Sequence, residues 1–395
     1  MNPLGKTKES VLSQAENALA AAPAMPDLPE GALTIGADAL TAFIAAIFRA
    51  AGCDAPEAGR IAASLVSANL TGHDSHGVVR VPRYVHVLGL GQVRAGQTLT
   101  VVSETPAHAL VDGNFGFGQT IAPLAVDLGI AKAKNTGIAV IALRNAGHVG
   151  RIGEWAERAA EAGLISIHFA NVFNGELVAP FGGVDRRFST NPFSVGVPLT
   201  PDPPLLLDFA TSVVAEGKVL VASNGGKSVP DDAMIEPDGR FSSDPRTIYG
   251  PIEGTHERNP GAGLGALRAF GGHKGSGLAF MCEILAGCLT AGGTSGPALR
   301  GPGRRIANGM LSIYIAPGGF ASETFAQAAR DYAAYVKASR PALPVGEVLL
   351  PGEPERRTRA ERLKNGVPLQ ARTWEAILAT ARSLGVPAPP FPLSP

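Results

Sequence analysis

The sequence predicts an α/β protein of the α+β kind. A mixed strand-and-helix unit covers residues 101–320, and a helical unit draws on both termini, residues 32–100 with 321–395. Three observations carry this. The length of 395 residues suits about two domains. Short β-branched runs alternate with helical patterns through the middle. Amphipathic helical spacing marks both ends. An apolar content of 45% supplies a core and excludes a mainly disordered chain. The 34 basic and 34 acidic side chains cancel, so bulk attraction to nucleic acid or an anionic membrane is not expected. The 49 glycines and 32 prolines mark many tight turns and close backbone approaches.

Residues 1–31 read as an extension and linker, broken by Pro23, Pro26 and Pro29. Leu40, Phe43, Ile44, Ile47, Phe48 and Ala51 line one helical face, and Gly52 closes it. Asp54, Pro56 and Glu57 form a cap signature for a helix to about Leu70. Residues 120–134 are helical, ended by Gly137, and 138–143 form a strand. A helix at 153–161 precedes a strand at 164–170. Strands at 194–199 and 205–209 flank TPDPP. A strongly apolar helix covers 275–290, a buried strand 310–315, and helices 325–338 and 374–384. The segment 341–354 is proline-rich and is expected to run as an ordered arm. No apolar run reaches the roughly 18 residues of a membrane span. MNPLGKTKES lacks the apolar region of a secretory signal, so a cytoplasmic protein is expected. Cys53, Cys282 and Cys288 form no CxxC pair, and the last two are expected to be buried thiols.

Several stretches can carry chemistry. HDSHGVVRVPRY, residues 73–84, gathers imidazoles, a hydroxyl, a guanidinium and a phenol. His76, Arg80 and Tyr84 would share a face on a helix, although Pro82 points to a turn leading into one. An arginine can grip a carboxylate through two hydrogen bonds, and a histidine titrates near neutrality. The plainer reading is a surface helix start capped by Ser75. NAGHVGRIGEW, residues 145–155, joins a strand to a helix. Its glycines leave N–H groups free for a phosphate, and His148 ends the strand; otherwise it is an ordinary turn. LLLDFATS brings Asp208 to a strand end, where it orients a catalytic histidine, binds a cofactor hydroxyl or caps a helix. HKGSG sets Lys274 at a helix start, a phosphate site or a plain glycine-rich opening. GAGLGA, residues 261–266, matches GxGxxG/A but follows no strand and reads as a flexible loop. A Rossmann fingerprint is therefore absent. No serine sits in GxSxG, and His73 with His76 has no obvious third ligand, so no metal is expected.

In order, these segments resemble the type-2 malate/L-lactate dehydrogenase family. DSHGVVRVPRY, FGFGQTIAP, GIAVIALRNAGHVGRIGEWAERAAEAGLISIHFAN, VAPFGGVDRRFSTNPFSVGVP, LLLDFATS, HKGSGLAFMCEIL and LLPGEPERRTRAERLKNGVPL carry the resemblance from about residue 33 to 385. ANLTGHDSHG, SIHF, LLLDFATS, MCEIL and the LLPGE arm look closest to its hydroxycarboxylate dehydrogenase B subgroup. That subgroup need not carry an arginine at position 80, so a different substrate is possible. The resemblance implies a non-Rossmann NAD(P)-binding domain on a mixed sheet, and a homodimer with its site near the subunit contact. It implies His76 as the first proton donor or acceptor and His148 as the second. Ser75, Arg80 and Tyr84 match substrate-contacting positions. Cofactor contacts would come from His76, Gly150, Arg151, Ile152, Leu206, Leu207, Asp208, Phe209, Ala210, His273, Lys274 and Asn308. The arm adds Gly352, Glu353, Pro354 and Glu355. The implied reaction is hydride transfer between a nicotinamide, NAD before NADP, and C2 of a small 2-oxo acid. A cyclic-imine carboxylate as substrate, or a non-catalytic dinucleotide-binding protein, are the alternatives.

Overall fold

The computed structural model describes residues 32–251, 259–296, 305–320, 322–342 and 346–389; the extension expected over 1–31 lies outside them. β1 (Ala32–Ile35) leads into α1 (Ala37–Ala50), which buries Leu40, Phe43, Ile44, Ile47 and Phe48 as its spacing demands. α2 (Ala55–Leu70) is capped by Asp54, whose Oδ1 accepts from Glu57 N at 2.7 Å. Two short 3-10 turns, Asp74–His76 and Val78–Arg80, then feed α3 (Val81–Gly89), with Pro82 in its first turn. His76, Arg80 and Tyr84 thus sit on a turn-to-helix corner and not on one continuous helix.

β2 (Thr100–Glu104), β3 (His108–Asp112), α4 (Gly118–Thr136), β4 (Ile138–Ala146), α5 (Gly153–Glu161) and β5 (Ile165–Phe173) follow. After β6 (Val178–Ala179) come β7 (Phe193–Leu199) and β8 (Asp202–Phe209). β8 begins earlier than its apolar run and includes Pro203 and Pro204, tolerated because it is an edge strand. α6 (Glu216–Ser223), β9 (Met234–Ile235), β10 (Phe241–Ser242), α7 (Arg246–Tyr249), β11 (Ala266–Arg268) and α8 (His273–Cys282) complete a small lobe. β12 (Ala307–Ile315), α9 (Ser322–Lys337), α10 (Glu353–Asn365), β13 (Val367–Gln370) and α11 (Ala371–Ser383) end the chain.

The main sheet is mixed and seven-stranded, in the order β2-β3-β4-β12-β5-β7-β8, with only the β3–β4 pair parallel. Its centre, β12, is almost wholly buried between β4 and β5. A four-stranded sheet, β10-β9-β11-β6, carries the small lobe around Val219, Met234, Ile248 and Leu267. β1 pairs antiparallel with β13, Ala32 opposite Gln370, and this joins the two ends over a third core containing Phe48, Leu65 and Trp374. α9 lies against β7, with Arg330 Nη1 donating to Thr200 O at 3.0 Å.

Four sequence expectations need correction. The apolar helix does not run regularly to residue 290: after Cys282 it widens into a π-turn, Glu283–Cys288. Glu283 is buried and accepts from Asn171 Nδ2 at 2.9 Å and Asn191 Nδ2 at 2.7 Å. The wide turn keeps Glu283, Ala286 and Gly287 inward and leaves Cys288 exposed, not buried. The loop at 261–265 is tied down: the Arg186 guanidinium donates to the carbonyls of Pro260, Gly263 and Gly265. In the proline-rich arm, irregular chain over 346–352 gives way to α10 at Glu353, because Pro354 in a first helical turn forfeits no hydrogen bond. Among the described residues no helix is long and apolar enough to cross a membrane.

Candidate active site

The loop after β4 and the corner before α3 meet at two imidazoles. Gly118 makes this possible: a Cβ there would lie 2.2 Å from His148 O, so α4 can start under the loop only with glycine. Asn308 on β12 fixes the loop from the other side, accepting from Val149 N at 2.9 Å and donating to Asn171 O at 2.7 Å. The His76 and His148 rings lie 5.5 Å apart and nearly parallel, 12° between planes. Ser75 Oγ is 3.0 Å from His76 Nδ1, and Tyr84 Oη is 2.6 Å from His148 Nδ1. Gln119 Nε2 donates to Tyr84 Oη at 3.2 Å and to His148 O at 3.2 Å. Each imidazole is therefore held through Nδ1, and Nε2 of each has no hydrogen-bond partner among the described residues.

Burial governs the titration here. It lowers His148 to about 3, with Arg80 adding repulsion. Burial, then His148, then Arg80 hold His76 well below the ordinary imidazole range. Burial also lifts the Tyr84 phenol to about 12, so it stays protonated. For Arg80, burial is the largest influence and works against the charge, but Glu216, Tyr84 and Tyr249 together outweigh it and the guanidinium is held above its ordinary value. Arg80 Nε donates to Ser75 O at 2.7 Å, and Nη2 donates to Glu216 Oε2 at 2.9 Å. Tyr249 Oη donates to Glu216 Oε1 at 2.5 Å.

A second cluster begins beside the first. Gly150 has φ +72°, and Arg151 behind it is 3% exposed. Arg151 Nη2 donates to Glu157 at 3.0 Å, while its buried Nε has no partner. An orphaned guanidinium N–H beside a glycine turn at a helix start suits an anionic group such as a pyrophosphate. Asp208 does not orient either histidine. Its Oδ2 accepts from Gly153 N at 3.0 Å, capping α5, because the end of β8 abuts the start of that helix.

The remaining expected residues divide by what they can reach. Ile152 and Leu206 are buried, so they can offer only backbone; Leu206 N already donates to Pro351 O at 3.2 Å. Leu207 is exposed, Phe209 meets Phe193 at a tilt and Phe270 edge to face, and Ala210 is half-buried. Both polar atoms of the Asn308 amide are taken by backbone, so it positions the loop. His273 and Lys274 are exposed at the start of α8. Gly352 has φ +89° and lies against Leu206, while Glu353 holds Lys337 at 2.6 Å. Pro354 is exposed, and Glu355 reaches His73 at 3.5 Å. The sequence reading missed Glu216, Tyr249 and Gln119; each lies far along the chain from the side chain it holds, and although Gln119 falls within FGFGQTIAP, nothing local marks its role. Among the described residues no group of three or more metal-ligating side chains occurs.

A family model described as malate/L-lactate dehydrogenase matches residues 35–378. A hydroxycarboxylate dehydrogenase B of Escherichia coli O157:H7 is 43% identical over 352 residues, covering 89% of this chain and 94% of its own length. A delta(1)-pyrroline-2-carboxylate/delta(1)-piperideine-2-carboxylate reductase of Pseudomonas putida is 34% identical, covering 86% of this chain and 94% of its own. The solved structure of malate dehydrogenase from Pyrococcus horikoshii OT3 matches with a TM-score of 0.79 at 31% identity, covering 92% of this chain and 99% of that one.

Proposed function

The chain belongs to the malate/L-lactate dehydrogenase family, and from that premise we propose that it interconverts 2-oxo and 2-hydroxy acids with a nicotinamide dinucleotide, NAD before NADP. The observation that carries the reading is the imidazole pair, anchored through both Nδ1 atoms, beside the Arg80 guanidinium.

Gly150, Arg151 and Ile152 would hold the dinucleotide with the end of β8, Leu206 to Ala210. His273, Lys274 and the arm Gly352, Glu353, Pro354 and Glu355 complete that set, and Asn308 keeps the Val149 loop in place. When bound, the nicotinamide gives or takes the hydride at C2. Arg80 holds the substrate carboxylate. Tyr84, kept protonated, accepts from Gln119 and donates to His148 Nδ1. Neutral His148 then carries its hydrogen on Nε2, ready to donate to the substrate oxygen. His76 titrates: it protonates the forming alkoxide in reduction and takes the hydroxyl proton in oxidation. Repulsion from His148 and Arg80 lets the pair carry one proton and not two. Ser75 steadies His76 through Nδ1.

A panel of 2-oxo acids and cyclic imines assayed at 340 nm with NADH and NADPH tests the reading. Turnover of a 2-oxo acid that drops about 100-fold or more in His76→Ala is the expected result. Silence across the panel overturns the activity, and a normal rate in His76→Ala with His148→Ala overturns the residue roles. Preference for the imines would favour the second reading, which the Pseudomonas putida relative supports. We also propose a cytoplasmic homodimer; the exposed apolar row Phe280, Met281, Ile284 and Leu289 supports a second copy.

A further inference from the structure

α6 enters the site by its first residue. Both Glu216 oxygens are engaged, Oε2 by Arg80 Nη2 at 2.9 Å and Oε1 by Tyr249 Oη at 2.5 Å. The Arg80 and Glu216 side chains are 17% and 13% exposed, so water screens their attraction little. Arg80 Nε is spent on Ser75 O, and only Nη1 lacks a partner among the described residues. Gly217 lets the helix come this close: a Cβ there would lie 2.5 Å from Ser75 Cβ and 2.8 Å from Arg80 Nη2. The neighbouring cations are matched as well, Arg151 by Glu157 at 3.0 Å and His73, when charged, by Glu355 at 3.5 Å. The carboxylate clamp therefore presents one unengaged edge, and an anion stands on the same wall.

We propose that Glu216 is a specificity-determining residue: by matching the Arg80 charge it selects 2-oxo acids with one carboxylate and an uncharged side chain, and disfavours those with a second carboxylate. This rests on Arg80 as the carboxylate clamp. A single carboxylate fits the open Nη1 edge, whereas a second would meet the Glu216 charge on the same wall. Such discrimination is set by repulsion more than by added attraction.

The test compares 2-oxopentanoate with 2-oxoglutarate, which share a five-carbon chain. The wild type should favour 2-oxopentanoate in kcat/KM. Glu216→Gln should move the ratio about tenfold or more toward the diacid, and Glu216→Asp, which keeps the charge, less than about twofold. Wild-type preference for the diacid, an unmoved ratio in Glu216→Gln, or an equal shift in Glu216→Asp overturns the proposal. Calorimetry without turnover adds a second reading on the same proteins. Glu216→Gln should tighten oxalate, a dianion, about tenfold more than oxamate, a monoanion. Equal tightening also overturns it. If the wild type reduces no 2-oxo acid yet shows this anion pattern, the proposed reaction fails while the role of Glu216 stands. Should Glu216→Gln not fold, Glu216→Ala removes the same charge and is read the same way.

Discussion

At the residue scale, chemistry depends on two imidazoles that burial keeps neutral in the free protein. Oxidation can use them as they stand, but reduction must first load a proton. Log kcat/KM for reduction should therefore fall with a slope near −1 from about pH 6 to 9, while oxidation stays flat. Formation of the complex with NADH and oxamate should take up about one proton, read as the dependence of calorimetric heat on buffer ionisation. A flat reduction profile would remove the histidine pair as the proton source. Tyr84→Phe breaks the relay that sets the His148 tautomer, so kcat should drop about 10–100-fold with KM for the acid little changed. Much of this was legible from HDSHGVVRVPRY and NAGHVGRIGEW, because imidazole, guanidinium and phenol cluster locally there. Glu216 and Tyr249 were not, because a side chain that acts through Arg80 leaves no pattern around itself.

At the element scale, short helices and turns do the positioning. α6 reaches the site only because Gly217 has no side chain. Gly217→Ala should push α6 away from Ser75 and Arg80, raising KM for the acid about tenfold and costing about 1–3 kcal/mol of stability in urea denaturation. An unchanged KM would mean that α6 does not set the clamp. Local signals predicted α1 and α2 well, since apolar spacing and the Asp54 cap are properties of neighbouring residues. They failed where distant groups decide. Asp208 read equally as a histidine partner, a cofactor contact or a helix cap until the fold set it against Gly153 N, and the apolar helix read as regular although it widens into a π-turn at buried Glu283. Pro354 hid α10 because a proline run reads as irregular chain unless the helix start is known.

At the scale of the whole molecule, titration also reaches stability. His168 is fully buried between Ser312 Oγ at 2.8 Å and Ser166 Oγ at 3.0 Å, and burial lowers it to about 3. The unfolded imidazole, near pKa 6.5, takes a proton that the folded one refuses. Stability should thus fall as pH drops from about 6.5 toward 3, by up to about 1.4 kcal/mol per pH unit for this group alone. Urea midpoints measured across that range should show a shallower slope in His168→Gln, and an identical slope would refute the assignment. A chain of mixed helices and strands was legible from alternating patterns, but the order β2-β3-β4-β12-β5-β7-β8 was not, because β12 completes the sheet from far along the chain.

The pairing of β1 with β13 sets a schedule for folding. Ala32 lies opposite Gln370, so the first described strand cannot bond until nearly all the chain has been made. Closing so long a loop unaided costs about 5 kcal/mol of chain entropy, which earlier contacts must reduce. During synthesis the central sheet can assemble while β1 waits. A circular permutant that joins the chain after α11 to β1 would bring this most distant contact within a few tens of residues.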